Sequence, residues 1–128
     1  AVLGMLSLEL LGKEGPVRID KDLVAASATP LVLGILSEQD SYGYAIVKRV
    51  RELSGGELEW TDGMLYPLLH RLERQGQVRA TWDQANGRRR KQYAITDKGL
   101  GVLADRRRQW DLVDQALRGL AGPRMVTA

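Results

Sequence analysis

The chain has 128 residues, 44% of them hydrophobic, which suits one core-forming domain with an appended element and excludes a disordered tail. It has no cysteine and a single histidine, His70, so disulfides, thiolate or multi-histidine metal sites and thiol nucleophiles are excluded, and no metal or cofactor is expected. The net charge is only +3, yet the basic residues gather at Lys48, Arg49 and Arg51, at Arg71 and Arg74, at Arg88 to Lys91 and at Arg106 to Arg108. Such clustering marks a phosphate-binding face, although ordinary solvated patches would look alike on charge alone.

Val2 to Leu11 is the longest apolar stretch near the start. Glu9 interrupts it and no basic residue precedes it, so it does not read as a signal peptide, and it is far too short to span a bilayer. The expectation is a soluble cytoplasmic protein without membrane contact. Met5 reads as the natural start, with Ala1 to Gly4 as an added remnant. Residues 1–20 read as an N-terminal extension with room for an extra helix.

Thr29-Pro30 reads as an N-cap followed by proline at the first helical position, where its missing N–H is harmless. Leu31, Val32, Leu33, Ile35 and Leu36 then predict a helix apolar nearly all round, hence buried. Asp22 to Ala28 offer a helical lead-in, with a kink at Pro30. Ser41 is the predicted cap of a second helix to about Ser54. Its apolar positions Ile46, Val47, Val50 and Leu53 keep helical spacing and leave Lys48, Arg49 and Arg51 to water, and Gly55-Gly56 stop it.

A third helix is predicted from Thr61-Asp62, with a capping hydroxyl and an acid at the positive end of the dipole. Leu65, Leu68, Leu69 and Leu72 form its core stripe; Tyr66, His70 and Glu73 take the opposite side, flanked by Arg71 and Arg74. Gly76 ends it, and Pro67 predicts a local distortion. The period then changes. Val78, Ala80 and Trp82 alternate with Arg79, Thr81 and Asp83 as in a half-buried strand, Asn86-Gly87 is a strong hairpin signal, and Arg88 to Ile95 return as the second strand.

Thr96-Asp97 cap a last helix, residues 97–121, with a tail at 122–128. Leu103, Trp110 and Leu117 are seven apart, as are Val113 and Leu120, a heptad seam broken only by Arg106. Leu103, Trp110, Val113, Leu117 and Leu120 are therefore the candidate dimerisation residues. The fold class expected is mainly α with a small β-hairpin: a winged helix-turn-helix over residues 21–96 followed by a C-terminal dimerisation helix.

A helix entering the major groove needs an apolar face for anchorage and a polar face to reach bases and phosphates. The third helix has both, though an ordinary amphipathic surface helix would too. The hairpin decides for double-stranded DNA, because Arg88, Arg89, Arg90 and Lys91 follow its turn at once, whereas charge protection of an edge strand needs one or two basic residues. The serines at 7, 27, 37, 41 and 54 lack a nucleophile-elbow context, Gly55-Gly56 lack phosphate-loop spacing, and the acids Glu57, Glu59 and Asp62 imply no cleft. No enzyme is expected. Trp110 is most simply a dimer-core residue, but beside Asp114, one turn on, its indole can also stack on a planar cationic ligand.

Three stretches, LVLGILSEQDSYGYAIVKRV, LSGGELEWTDGMLYPLLHRLERQGQV and NGRRRKQYAITDKG, closely resemble the PadR family. Few winged helices share the combination of Leu65-Tyr66-Pro67, Leu72-Glu73, Gly87 to Lys91 and Tyr93. The resemblance implies a homodimeric bacterial repressor, acting at the nucleoid, that leaves its pseudo-palindromic operator when a small molecule or stress signal binds. It places Tyr66 and Arg88 to Lys91 at the DNA, and Tyr42 and Lys48 near its backbone. Thr61, Met64, His70, Arg71 and Arg74 complete the candidate DNA contacts. Met64 departs from the family pattern, which has a small hydroxyl residue there. Gln109 to Asp114 resemble the segment lining an inter-subunit pore in multidrug-sensing members, which makes Trp110, Val113 and Asp114 the candidate ligand residues. The residues before Lys21 go beyond the compact subfamily. The alternative reading is a winged-helix protein-interaction module without direct DNA binding.

Overall fold

The computed structural model describes residues 19–85 and 87–120. The proposed start at Met5, most of the extension at 1–20, Asn86 of the hairpin signal and the tail at 122–128 lie outside the described residues. Within them the order is α1 (Lys21–Glu38), β1 (Ser41–Tyr42), α2 (Gly43–Leu53), α3 (Asp62–Arg74), β2 (Val78–Ala85), β3 (Arg88–Ile95) and α4 (Asp97–Gly119). The strands form an antiparallel sheet in the order β1-β3-β2. This is a winged helix-turn-helix: α2 and α3 are its helical pair, β2 and β3 its wing.

The start of α1 is not at Thr29. Asp20 is its cap, accepting from the Asp22 N–H at 3.2 Å, and the helix runs unbroken through Pro30. Proline removes the bond to the carbonyl four residues back, that of Ala26, and Ala26 is exposed, so water can satisfy it. Thr29 is buried, and its hydroxyl accepts from Arg71 Nη2 of α3 at 3.3 Å instead of capping anything. Ser41 is no cap either. It pairs with Tyr93 as part of β1, and α2 opens after Tyr42 with no side-chain cap bond.

The other boundaries follow the predicted chemistry. Thr61 accepts from Met64 N–H at 3.3 Å, and Trp60 and Leu65, in the spacing of a hydrophobic staple around that cap, both enter the core. Gly55, Gly56 and Gly76 take positive φ where α2 and α3 stop. Pro67 sits within an uninterrupted α3 on its exposed side, so the helix continues through the predicted distortion point.

The core gathers Val32, Leu33 and Leu36 of α1, Ile46 and Val50 of α2, the whole Leu65-Leu68-Leu69-Leu72 stripe of α3, and Tyr93 of β3. Each fully buried aliphatic side chain contributes roughly 1.5–3 kcal/mol, so the α3 stripe alone anchors that helix firmly. Where α3, the wing and α4 meet, Thr96 is the stitch. Its hydroxyl donates to the Gly76 carbonyl at 2.6 Å and accepts from Gly99 N–H at 3.1 Å, while its own N–H donates to the Gln77 carbonyl at 3.1 Å. Thr96→Ala should lower stability by about 1–2 kcal/mol in chemical denaturation. A change under roughly 0.3 kcal/mol would show that the cap does not hold this junction.

Candidate nucleic-acid interface

The face of α3 opposite its leucine stripe exposes Tyr66 and His70, and the wing stands beside it. Between them lies a cleft of about 430 Å³, lined by Tyr42, Gly43 and Tyr44 at the start of α2, Tyr66 and His70 of α3, and Trp82, Arg89, Arg90, Lys91 and Tyr93 of the wing. The N-terminus of α2 opens here without a side-chain cap, leaving backbone N–H groups and the positive end of a helix dipole. Gly43 lets the Tyr66 ring close over this point, because a Cβ there would stand 2.5 Å from the Tyr66 hydroxyl and push the side chain outward. The cleft thus combines N–H groups, phenol hydroxyls, an imidazole and three cations, a set suited to phosphate and base edges.

Cation–aromatic contacts hold the basic side chains in place. Arg89 lies 4.4 Å from the Trp82 ring centroid and Lys91 5.8 Å. Arg90 lies 4.6 Å from the Tyr42 ring and donates to the Tyr44 hydroxyl at 3.3 Å. Each such contact is worth about 0.5–1 kcal/mol at an exposed site. The Tyr42 hydroxyl donates to Asp83, and this bond, aided by burial, raises its pKa above the ordinary tyrosine range. Tyr93 is 1% exposed, its hydroxyl has no partner among the described residues, and burial raises its pKa too. Both phenols therefore remain neutral donors throughout the physiological range.

The structure brings together Tyr42, Tyr66, His70, Arg89, Arg90 and Lys91 of the sequence-predicted contacts. It places the others differently. Lys48 is exposed on α2, Thr61 caps α3, and Arg74 and Arg88 are exposed beyond the residues lining the cleft. Arg71 reaches back to Thr29, and Met64 packs against the core. Lys91 is half-buried, 3.7 Å from Glu73 of α3. Arg88 and Arg89 are the freest wing cations, with Arg90 and Lys91 tied inward.

Trp82 corrects the reading of β2. Alternation put it on an inward face with Val78 and Ala80, but it is 57% exposed, because β2 runs out past the core into the wing. There it carries Arg89 and Lys91 across its ring. Tyr44, Asp83 and Tyr93 also belong to this site and were missed as members. The tyrosine-glycine-tyrosine run at 42–44, at a strand-to-helix junction, was the available signal.

On α4 the heptad seam divides. Leu103 is 6% exposed and belongs to the core of its own chain, whereas Leu112, Val113, Leu117 and Leu120 are exposed. Trp110 is half-buried and lines, with Leu23, Pro30 and Leu31 of α1 and Leu53 and Leu58, an apolar groove of about 610 Å³. Arg107 and Asp111 stand at its polar rim. Val113 and Asp114 do not line it, and Asp114 pairs with Arg118 at 2.8 Å. No helix among the described residues is long and apolar enough to cross a membrane.

The fold has close counterparts. A transcriptional regulator from Clostridium thermocellum superposes with a TM-score of 0.72 at 26% identity, covering 79% of this chain and 99% of its own. A PadR family transcription regulator from Clostridium difficile gives 0.66 at 31% identity, covering 72% and 95%. The transcriptional regulator YqjI of Escherichia coli (strain K12) is 28% identical over 88 residues, which are 69% of this chain and 41% of that protein, so the chain spans well under half of that relative. The sequence profile of the PadR-like transcriptional regulators matches residues 32–105, from the core of α1 through the wing to the first half of α4. The chain belongs to the PadR family of transcriptional regulators.

Proposed function

We propose that the protein is a dimeric, sequence-specific DNA-binding repressor that leaves its operator when a small molecule binds. The observation that carries the reading is the cleft joining Tyr66 and His70 of α3 to Arg89, Arg90 and Lys91 of the wing across the open N-terminus of α2. The α3 helix would enter the major groove, with the wing on the adjacent backbone or minor groove. In a dimer, two such helices about 34 Å apart would read a pseudo-palindrome whose half-sites are centred one helical turn apart. The exposed Leu112, Val113, Leu117 and Leu120 on α4 support pairing of two copies, since a single chain leaves that apolar ridge uncovered. Such a repressor would act in the cytoplasm, at the nucleoid.

Release is assigned to the groove that holds Trp110. A flat aromatic cation can stack on the indole while Asp111 supplies the opposite charge. The test is a duplex carrying the protein's own upstream region, against a scrambled duplex. Wild type should bind the first selectively and be released by planar cationic dyes, which should also quench its indole fluorescence above the background of Trp60 and Trp82. Trp110→Ala, verified as dimeric, should keep the duplex while losing both dye responses. Equal dye response in that variant would contradict the effector assignment, and equal binding to both duplexes would contradict sequence-specific repression.

A further inference from the structure

The wing carries an acid on a face that should favour phosphate. Asp83 lies directly opposite Arg90 in the β2–β3 register. Its carboxylate accepts the Tyr42 hydroxyl, the Tyr42 ring underlies the Arg90 guanidinium, and the Tyr42 and Tyr44 rings stack at 5.9 Å with planes 8° apart. Arg90 Nη1 reaches the Tyr44 hydroxyl, and Arg90 Nε is buried without a partner among the described residues. Three segments that are separate in sequence, β2, β3 and the β1–α2 junction, meet in this one group. β1 is only two residues long and pairs with β3 through Ser41 and Tyr42 alone. The Asp83–Tyr42 bond therefore ties the wing to α2 beyond the short sheet.

We infer that Asp83 is a positioning residue for DNA binding: it fixes Tyr42, and through the tyrosine ring holds Arg90 aimed into the cleft between wing and α3. The inference rests on the DNA-binding reading above. A freely rotating arginine loses conformational entropy when it settles on a phosphate, whereas one already stacked and bonded loses little. Two effects of opposite sign compete at this residue. Removing its charge from a face that meets phosphate strengthens binding by plain electrostatics, screened beyond about 8 Å at physiological salt. Removing its acceptor releases Tyr42 and Arg90 and weakens binding.

Asp83→Ala and Asp83→Asn separate the two, because both remove the same charge and only asparagine keeps an acceptor. Duplex affinity, salt dependence and melting temperature would be measured for wild type and both variants. If Asp83 positions the wing, Asp83→Ala binds roughly five-fold more weakly than wild type despite the gained positive charge. Asp83→Asn recovers most of that loss, with all three proteins fully folded at the assay temperature. If both variants bind equally and more tightly than wild type, the acid only brakes binding and the positioning role is overturned. Wild type that shows no salt-dependent duplex binding overturns the DNA reading and this role together. Tighter binding by both variants beside a wild type that does bind overturns this role alone.

Discussion

Replacing Arg88, Arg89 and Arg90 together with alanine is expected to weaken binding to cognate and random duplex alike. These residues follow the wing turn, and Arg88 and Arg89 are exposed with no acid paired to them among the described residues. A phosphate contact contributes about 0.9 to the slope of log affinity against log salt. A dimer losing six such contacts would lose up to about 5 from that slope, and affinity at moderate salt should fall on the order of a hundredfold or more. Because phosphate carries no sequence information, the ratio of cognate to random affinity should hardly move. Affinity and slope unchanged on both duplexes would remove the wing from the interface.

Gly99→Ala should be among the most destabilising single substitutions outside the leucine core. Gly99 sits in the first turn of α4, where an added Cβ would overlap the Gln77 carbonyl oxygen and stand 2.7 Å from Ile95 Cγ1. The Gln77 oxygen cannot retreat cheaply, since it accepts the Thr96 N–H that ties the wing base to α4. Overpacking against backbone costs roughly 1–3 kcal/mol and occasionally more. For a domain of this size that is on the order of 4–15 °C in melting temperature. A drop under roughly 2 °C would mean that the junction yields without strain.

Much of the fold was readable because local chemistry and tertiary packing agree. Thr61 and Thr96 cap the helices that their positions announce, and the leucines of α3 are buried as their spacing requires. The period change at Val78 and Gly87 at positive φ place the wing. Where the reading failed, a long-range contact outweighed a local signal. Thr29-Pro30 looks like a helix start, but Thr29 is bonded to Arg71 on another helix, and exposure of Ala26 lets the chain stay helical through the proline. Ser41 looks like a cap, but its backbone is taken by Tyr93, 52 residues on.

The candidate site divides in the same way. Basic residues after a turn and a tyrosine on a helix face are visible in one dimension, so Tyr66 and Arg89 to Lys91 could be picked out. Asp83 could not, because its meaning depends on Tyr42 and Arg90 meeting it from two other segments. Leu103 shows the limit of a heptad argument. Its seven-residue spacing to Trp110 is genuine, yet α1 covers Leu103 within the same chain and leaves the outer half of α4 bare.

If the cleft between α3 and the wing is the DNA-binding surface, the protein binds its operator selectively and with strong salt dependence. This is tested most directly by duplex binding to the protein's own upstream region, against random duplex, across a salt series. Tight, selective binding to the upstream duplex is expected, with a steep negative slope from roughly six to ten phosphates neutralised per dimer. Binding that is flat in salt, or no tighter to the upstream duplex than to random DNA, would contradict this role of the cleft.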